Sequence, residues 1–341
     1  MTQPLLTHIN STVFLRDGSL VILDRRQFPR KVEEIICNDY EDVAQGIEIM
    51  AVQGAGDIAI TAAYGLYMAA CHLETQYLTP EQIREPLSTV KERLFNTRPT
   101  GFHLGALLDK IWSRIEWQRG DIAEQILAFI NTAVERQQMR SELTGKWAEQ
   151  LVEDGDTVLT HCFPGSALLY MLDFARRKGK RLSVIATETR PYLQGARLTA
   201  WSASQLDLPV TLITDNMAAY CMSRQMITKV FTAADRVAMD GTVANKVGTF
   251  QLAIAASYHQ LPFYILGYGG PDRNCASGEH IPIEYRDPEE VTTFSGIKTT
   301  GDLVTGFYPA FDLTPPRLIT GIITDRGIFE PERVADYWER T

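Results

Sequence analysis

The chain has little of several things, and each shortage excludes a class of protein. Cysteine is one: Cys37, Cys71, Cys162, Cys221 and Cys275 stand far apart, with no Cys-x-x-Cys pair. A scattered, odd-numbered set fits neither a disulfide framework nor a zinc site and points to reduced thiols in the cytoplasm. Basic residues are outnumbered, 33 Lys and Arg against 42 Asp and Glu, for a net charge of −9. No Lys/Arg run stands out either, so the footprint of a nucleic-acid partner is missing. An anionic ligand would have to be held by a few placed groups rather than a broad positive field. No apolar run reaches the length of a membrane span, and the N-terminus lacks the basic-then-apolar pattern of a signal peptide. Repeats and low-complexity segments are absent.

What is present divides the 341 residues in two. "TVFLRDGSLVILD" places Asp17-Gly18 between two β-rich runs, a strong hairpin signal. From about Arg30 to Gln150, apolar residues recur at three- and four-residue spacing. "YEDVAQGIEIMAV", "DIAITAAYGLYMAACHLE", "TPEQIREPLSTVKERLF" and the stretch from Asp121 to Leu151 all read as helices. Beyond Glu153, short apolar runs ("DTVLTHC", "RLSVIATET", "PVTLITDN", "ADRVAMD", "PFYILG") alternate with helical segments. That alternation predicts an α/β protein whose parallel sheet is covered on both faces. The expected division is a helical domain with a β-hairpin over 1–150 and a catalytic sheet domain over 151–341.

Ligands of open parallel sheets sit beyond the carboxyl ends of the strands. Those ends read His161-Cys162, Glu188-Thr189-Arg190, Asp215-Asn216, Asp240-Gly241 and Gly267-Tyr268. With Pro164 in the first turn of the next helix, Cys162 would lie at a helix N-terminus, which lowers a thiol's pKa. Asp240 would face the same crevice, although an Asp-Gly turn is the commoner use of that pair. Asn245 and Lys246, read as opening a helix, offer an amide and a cation to a phosphate or hydroxyl-rich ligand. Cys37, Cys71 and Cys221 read as core, and Cys275 as a loop residue without a role. In the N-terminal half, Gln53-Gly54-Ala55-Gly56 leads into a helix whose backbone N–H groups would cradle an anion. Arg98, held extended by the following proline, would clamp a phosphate. No Gly-x-Gly-x-x-Gly follows the first strand of the sheet domain, which argues against a nicotinamide-dependent dehydrogenase.

Taken together, "GAGDIAITAAYG", "TRPTG", "LTHC", "ETRPYLQGARLTAW", "LITDNMA", "ADRVAMDGTVANKVGT", "PIEYRDPEEV" and "PAFDLTPPRLITGIITDRG" resemble the methylthioribose-1-phosphate isomerase family. That family lies within the larger group that includes regulatory subunits of the initiation factor exchange complex. The resemblance implies a Rossmann-like sheet domain behind a helical one, a homodimer, a sugar phosphate substrate, and isomerisation without metal or organic cofactor. It places the family's catalytic Cys and Asp on Cys162 and Asp240, and its ligand contacts on Gln53, Gly54, Ala55, Arg98, Gln205, Asn245 and Lys246. Two departures stand out. The family's glycine turn reads Arg-Gly-Ala-Pro-Ala where this chain has Gln53 to Asp57, a loss of a charged contact worth about 1.5–3 kcal/mol. Phe163-Pro164 replaces Asn-Ala after the cysteine. The alternatives left open are an isomerase of 5-deoxyribose 1-phosphate, unphosphorylated 5-methylthioribose or ribose 1,5-bisphosphate, and a non-catalytic sensor of sugar phosphates or nucleotides.

Overall fold

The computed structural model of the protein describes residues 3–76, 79–98 and 102–340. The chain forms two units, His8–Gln138 and a second made of Met1–Thr7 with Met139–Thr341. The division falls inside a helix rather than at residue 150, because an unbroken helical pattern gives no sign of where one unit stops.

In the His8–Gln138 unit, Asp17 and Gly18 take φ of 53° and 84°, the positive values that a tight hairpin turn requires. They join β1 (Val13–Arg16) to β2 (Ser19–Leu23), and β3 (Glu34–Cys37) completes an antiparallel sheet. Among the described residues, five α-helices follow: α1 (Tyr40–Glu48), α2 (Ala55–Gln76), α3 (Pro80–Phe95), α4 (Phe102–Trp112) and α5 (Ile122–Glu149), the last running on past the unit's end. Asp39 opens α1 by accepting from the Glu41 and Asp42 N–H groups at 2.9 Å each, the usual task of an N-cap carboxylate. α2 is apolar almost all round and is buried against α1, α3 and α4, as such a helix must be. α4 escaped the sequence reading because Gly105 interrupts a short pattern.

The other unit carries β4 (Thr157–Thr160), α6 (Ser166–Arg177), β5 (Ser183–Thr187), a π-helical turn at Gly195–Ala200, α7 (Trp201–Ser204), β6 (Val210–Ile213), α8 (Ala218–Ser223) and β7 (Lys229–Ala233). It continues with β8 (Arg236–Val237), β9 (Val243–Lys246), α9 (Thr249–Tyr258), β10 (Phe263–Tyr268), α10 (Glu289–Thr292), β11 (Thr293–Phe294) and β12 (Ile297–Lys298). β13 (Phe311–Thr314), β14 (Gly321–Thr324) and β15 (Gly327–Phe329) close it. The main sheet has the order β15-β14-β10-β7-β4-β5-β6 and is parallel except where β15 returns against β14. Its strands are nearly continuous apolar runs, as a sheet buried on both faces demands. The expected α/β class, with a Rossmann-like sheet, is what forms.

Chain order runs outward from β4 through β5 to β6, then jumps back to β7 on β4's other side and runs outward again to β10 and β14. β4 and β7 thus flank the reversal, where an open α/β sheet leaves its crevice. One strand was misread. The central strand is "KVFTA", β7, whereas "ADRVAMD" leaves the sheet and supplies only β8 to a separate antiparallel sheet, β13-β9-β8. Asn245 and Lys246 lie on β9 rather than at a helix start, and α9 begins at Thr249. Among the described residues, no helix is long and apolar enough to cross a membrane.

Candidate active site

β4 runs into His161 and Cys162. The buried His161 ring donates from Nε2 to the Val247 carbonyl at 2.9 Å, which leaves Nδ1 to accept from the Thr187 hydroxyl at 2.6 Å. Burial lowers its pKa, so the ring stays neutral and acts as a strut. Gly248 makes room for it: φ is 106°, and a Cβ there would come within 2.9 Å of Nε2.

Cys162 follows with φ of 60°, a left-handed backbone that non-glycine residues rarely adopt outside constrained sites. Its N–H donates to Thr189 Oγ1 at 2.9 Å, and its carbonyl accepts from the Thr199 hydroxyl at 2.5 Å. Thr189 is fixed in turn, since Asp215 accepts from the N–H groups of Thr189 and Arg190 at 2.8 Å each. The polar residues at the ends of β5 and β6 are therefore the frame that holds the cysteine.

The thiol's electrostatics differ from expectation. α6 begins at Ser166, with Gly165 rather than Pro164 at its threshold. The Tyr268 hydroxyl accepts from the Ala167 N–H at 3.3 Å and donates to the Pro164 carbonyl, so it meets the helix's first turn. Burial dominates and pushes the Cys162 thiol up to about 11, against the opposing pull of Lys246 and the Phe163 N–H. The resting group is a thiol, not a thiolate.

β7, across the reversal, is followed by Asp235. This carboxylate's charge reaches both Cys162 and Lys246, raising the pKa of each. Lys246, the last residue of β9, pairs in register with Phe311 of β13. It is 4% exposed, with Nζ 5.1 Å from the Phe311 ring centre and 5.6 Å from that of Tyr308. Burial, helped by the nearby Arg286 guanidinium, brings its ammonium down to about 8. Arg286 also pulls on Cys162. A thiol, a carboxylate and two cations thus form one cluster against aromatic walls at the mouth of the sheet.

Asp240 lies outside it. Its exposed side chain accepts from the Thr242 N–H at 2.9 Å and the Gly278 N–H at 3.3 Å, closing the turn at Gly241. The difference follows from the misread strand: once "KVFTA" is the central strand, the acid just past its carboxyl end is Asp235 rather than Asp240. Gln205 is also elsewhere, its Oε1 accepting from the Leu5 N–H at 3.0 Å and fastening the N-terminal segment. Gln194 was passed over. It sits between Thr189 and the π-helical turn, 5% exposed, and its Oε1 is buried with no hydrogen-bond partner among the described residues. The signal available was a Gln enclosed between Leu193 and Gly195. Asn245 is buried, its Nδ2 donating to Thr249 Oγ1 at 2.9 Å. A cavity of about 200 Å³ opens beside His161, lined also by Arg190, Asp215, Val247, Gly248, Gln251 and Leu252, without Cys162. Among the described residues, no three His, Cys, Asp or Glu side chains converge as a metal site.

Gln53, Gly54, Ala55 and Arg98 belong to the other unit. Gly54 has φ of 106°, and Ala55 begins α2. Gln53 is 2% exposed, its Nε2 donating to the Met50 carbonyl at 3.1 Å. Behind the turn lies Arg25, 1% exposed, donating to the Gln53 carbonyl and, at 2.7 Å, to Asp57 Oδ2. Gln137 Nε2 donates to the other Asp57 oxygen at 2.7 Å. Arg98 lies with Nη1 2.8 Å from the Met50 sulfur. The rest of its motif, Pro99 to Gly101, falls outside the described residues.

Residues 51–331 match the initiation factor 2 subunit family. A methylthioribose-1-phosphate isomerase of Desulforamulus reducens is 38% identical over 337 residues, covering 94% of this chain and 96% of its own. The chain belongs to that family, on its methylthioribose-1-phosphate isomerase branch. Among solved structures, a 5-methylthioribose 1-phosphate isomerase from Pyrococcus horikoshii superposes with a TM-score of 0.84 at 33% identity, covering 96% of this chain and 94% of that one. A translation initiation factor eIF-2B delta subunit from A. fulgidus gives 0.82 at 31% identity, covering 99% and 100%. Against the family's Arg-Gly-Ala-Pro-Ala turn, Asp57 does not stand as an isolated negative charge. It neutralises Arg25, and Gly56 leaves the space that Gln137 fills, since a Cβ there would lie 2.6 Å from Gln137 Oε1.

Proposed function

We propose that the chain is an intramolecular aldose–ketose isomerase that converts 5-methylthioribose 1-phosphate to the ketose 1-phosphate with Cys162 and Asp235. The observation that carries this is that those two groups follow directly on the strands that flank the sheet's reversal, each within electrostatic reach of Lys246. The naming of the curated relatives supports the substrate.

In an aldose 1-phosphate the anomeric oxygen carries the phosphate, so the ring must open before hydrogen can move. Asp235, a carboxylate in the free protein, takes up a proton as the sugar phosphate binds and gives it to the ring oxygen as that oxygen leaves C1. The C2 hydrogen then passes with its electron pair to C1. The proton of the C2 hydroxyl returns to Asp235, leaving a ketone at C2. Lys246 supplies positive charge beside the Asp235 carboxylate left when its proton is given up, in a site too dry for water to screen it. Gln194 offers an acceptor to the sugar. With its pKa near 11, Cys162 is thiolate in only about one molecule in ten thousand at neutral pH, a poor supply of base. That favours the hydride route over proton abstraction by the sulfur, and Cys162 acts as a hydrogen-bonding, water-excluding wall. Within the His8–Gln138 unit by itself, the turn Gln53–Ala55 at the start of α2 and Arg98 are proposed anion-binding groups.

The test is turnover in deuterated water on a panel of pentose 1-phosphates and 5-methylthioribose, followed by NMR. Ketose 1-phosphate without deuterium at C1 supports the scheme, whereas label at C1 replaces the hydride step with abstraction. A second reading, a non-catalytic sensor, is favoured by the fit to the A. fulgidus subunit over the whole chain. Raised melting temperature with no ketose from any sugar would establish it. We further propose a cytoplasmic homodimer: the cysteines are unpaired, and the packed helices α8 and α9 leave Tyr220 66% and Tyr258 83% exposed.

A further inference from the structure

Two buried polar atoms of opposite kind are left open in the cluster. The Arg286 side chain is 8% exposed. It donates from Nε to Glu284 at 2.7 Å and stands 5.6 Å from the Tyr192 ring centre. Yet its Nη1 is buried without a hydrogen-bond partner among the described residues. Glu290 accepts from the Tyr192 hydroxyl at 3.1 Å through Oε1, while its Oε2 is likewise buried and unpartnered. Tyr192 ties the two together, its ring beneath the guanidinium and its hydroxyl on the carboxylate. Each is within electrostatic reach of the other and of Lys246.

A native fold rarely leaves a buried donor or acceptor unmatched, so an open donor and an open acceptor joined through Tyr192 and within electrostatic reach of each other describe the group that completes them. That group must accept one hydrogen bond and donate another. A phosphate would answer Arg286 and be repelled by Glu290, and a thioether would answer neither. A hydroxyl answers both.

We propose that Arg286 and Glu290 grip one hydroxyl of the sugar, Nη1 donating to its oxygen and Oε2 accepting from it. This rests on the isomerase reading and makes it more specific. A furanose 1-phosphate substituted at C5 binds with hydroxyls only at C2 and C3, since the one at C4 forms only when the ring opens, and the one at C2 becomes the carbonyl. The pair therefore holds the 3-hydroxyl, fixing the sugar against Cys162 and Asp235 and rejecting sugars that lack it.

The experiment compares kcat/KM of the wild type, Glu290→Met and Glu290→Gln on 5-methylthioribose 1-phosphate and on its 3-deoxy analogue, with melting curves confirming the fold. In the glutamine variant Tyr192 keeps the oxygen, so the amide nitrogen faces the sugar and cannot accept. The wild type should lose at least ~100-fold on the deoxy sugar, as sites built around a substrate hydroxyl do. Each variant should lose a comparable factor on the full substrate and nothing further on the deoxy sugar. Losses that multiply, or a wild type indifferent to the 3-hydroxyl, would overturn the proposal while leaving the isomerase reading in place. A wild type that forms no ketose from the full substrate overturns that reading, and this inference with it.

Discussion

Lys246 is an ammonium kept dry against its own preference, and replacing it measures what the fold gives up for it. Burial and the Arg286 guanidinium bring its pKa from 10.5 to about 8, a preference for the neutral form of about 3 kcal/mol. Below about pH 8 both folded and unfolded chains hold the proton, so the destabilisation is present in full. Between about 8 and 10.5 the unfolded chain alone holds it, and stability rises with pH. Cys162, raised from 9 to about 11, works in the opposite sense. There the folded chain keeps a proton that the unfolded chain has released, so stability falls with pH. The two trends overlap above pH 9, which confines the net gain to about one pH unit above 8.

Lys246→Met keeps the length of the side chain and puts a thioether between the rings of Tyr308 and Phe311. At pH 7 the variant should be more stable by about 1–3 kcal/mol, the lower end allowing for the cation–π contacts it forfeits. Turnover should fall by on the order of 100-fold, and the stability advantage should shrink by pH 9. Urea unfolding at both pH values, with turnover measured alongside, reads all three. A variant less stable than the wild type at pH 7 would refute the reasoning, because the ammonium would then be a net stabiliser.

Asp57→Ala leaves the buried Arg25 guanidinium without its carboxylate and should lower stability by about 3–5 kcal/mol, seen as a drop in melting temperature. Asp57→Leu combined with Arg25→Met should recover most of that loss. Gly248→Ala should cost about 1–3 kcal/mol, because it strains a left-handed backbone and presses on His161, and turnover should fall along with the melting temperature. Gln53→Arg should not improve turnover of 5-methylthioribose 1-phosphate, since it sets a second guanidinium beside Arg25. A gain in kcat/KM would contradict this. Tyr220→Asp with Tyr258→Asp should yield monomers in sedimentation analysis, whereas an unchanged dimer would move the interface elsewhere.

Period and punctuation carried the class of fold: the Asp17-Gly18 hairpin, the amphipathic helices and the apolar strands were legible because each follows from local chemistry. The order of strands was not, since pairing is non-local, and that order decides the site. "KVFTA" is only five residues, opened by a lysine, and "ADRVAMD" resembles a strand more closely. Choosing the second moved the chosen acid from Asp235 to Asp240. Cys162 could be singled out from its turn, but its high pKa could not, because the apolar walls around it come from segments distant in sequence. Arg286, Glu290 and Gln194 drew no notice for the same reason. Their buried, unsatisfied atoms exist only once the chain has folded around them.

The most direct test compares kcat/KM for Asp235→Asn and Asp240→Asn on 5-methylthioribose 1-phosphate, with both variants shown to melt near the wild type. Asp235→Asn should lose about 10²–10⁴-fold, while Asp240→Asn should stay within about threefold, since it alters only an exposed turn worth less than ~1 kcal/mol. Asp240→Asn inactive beside an active Asp235→Asn would contradict the assignment of Asp235 as the proton carrier that works with Cys162 across the reversal of the sheet.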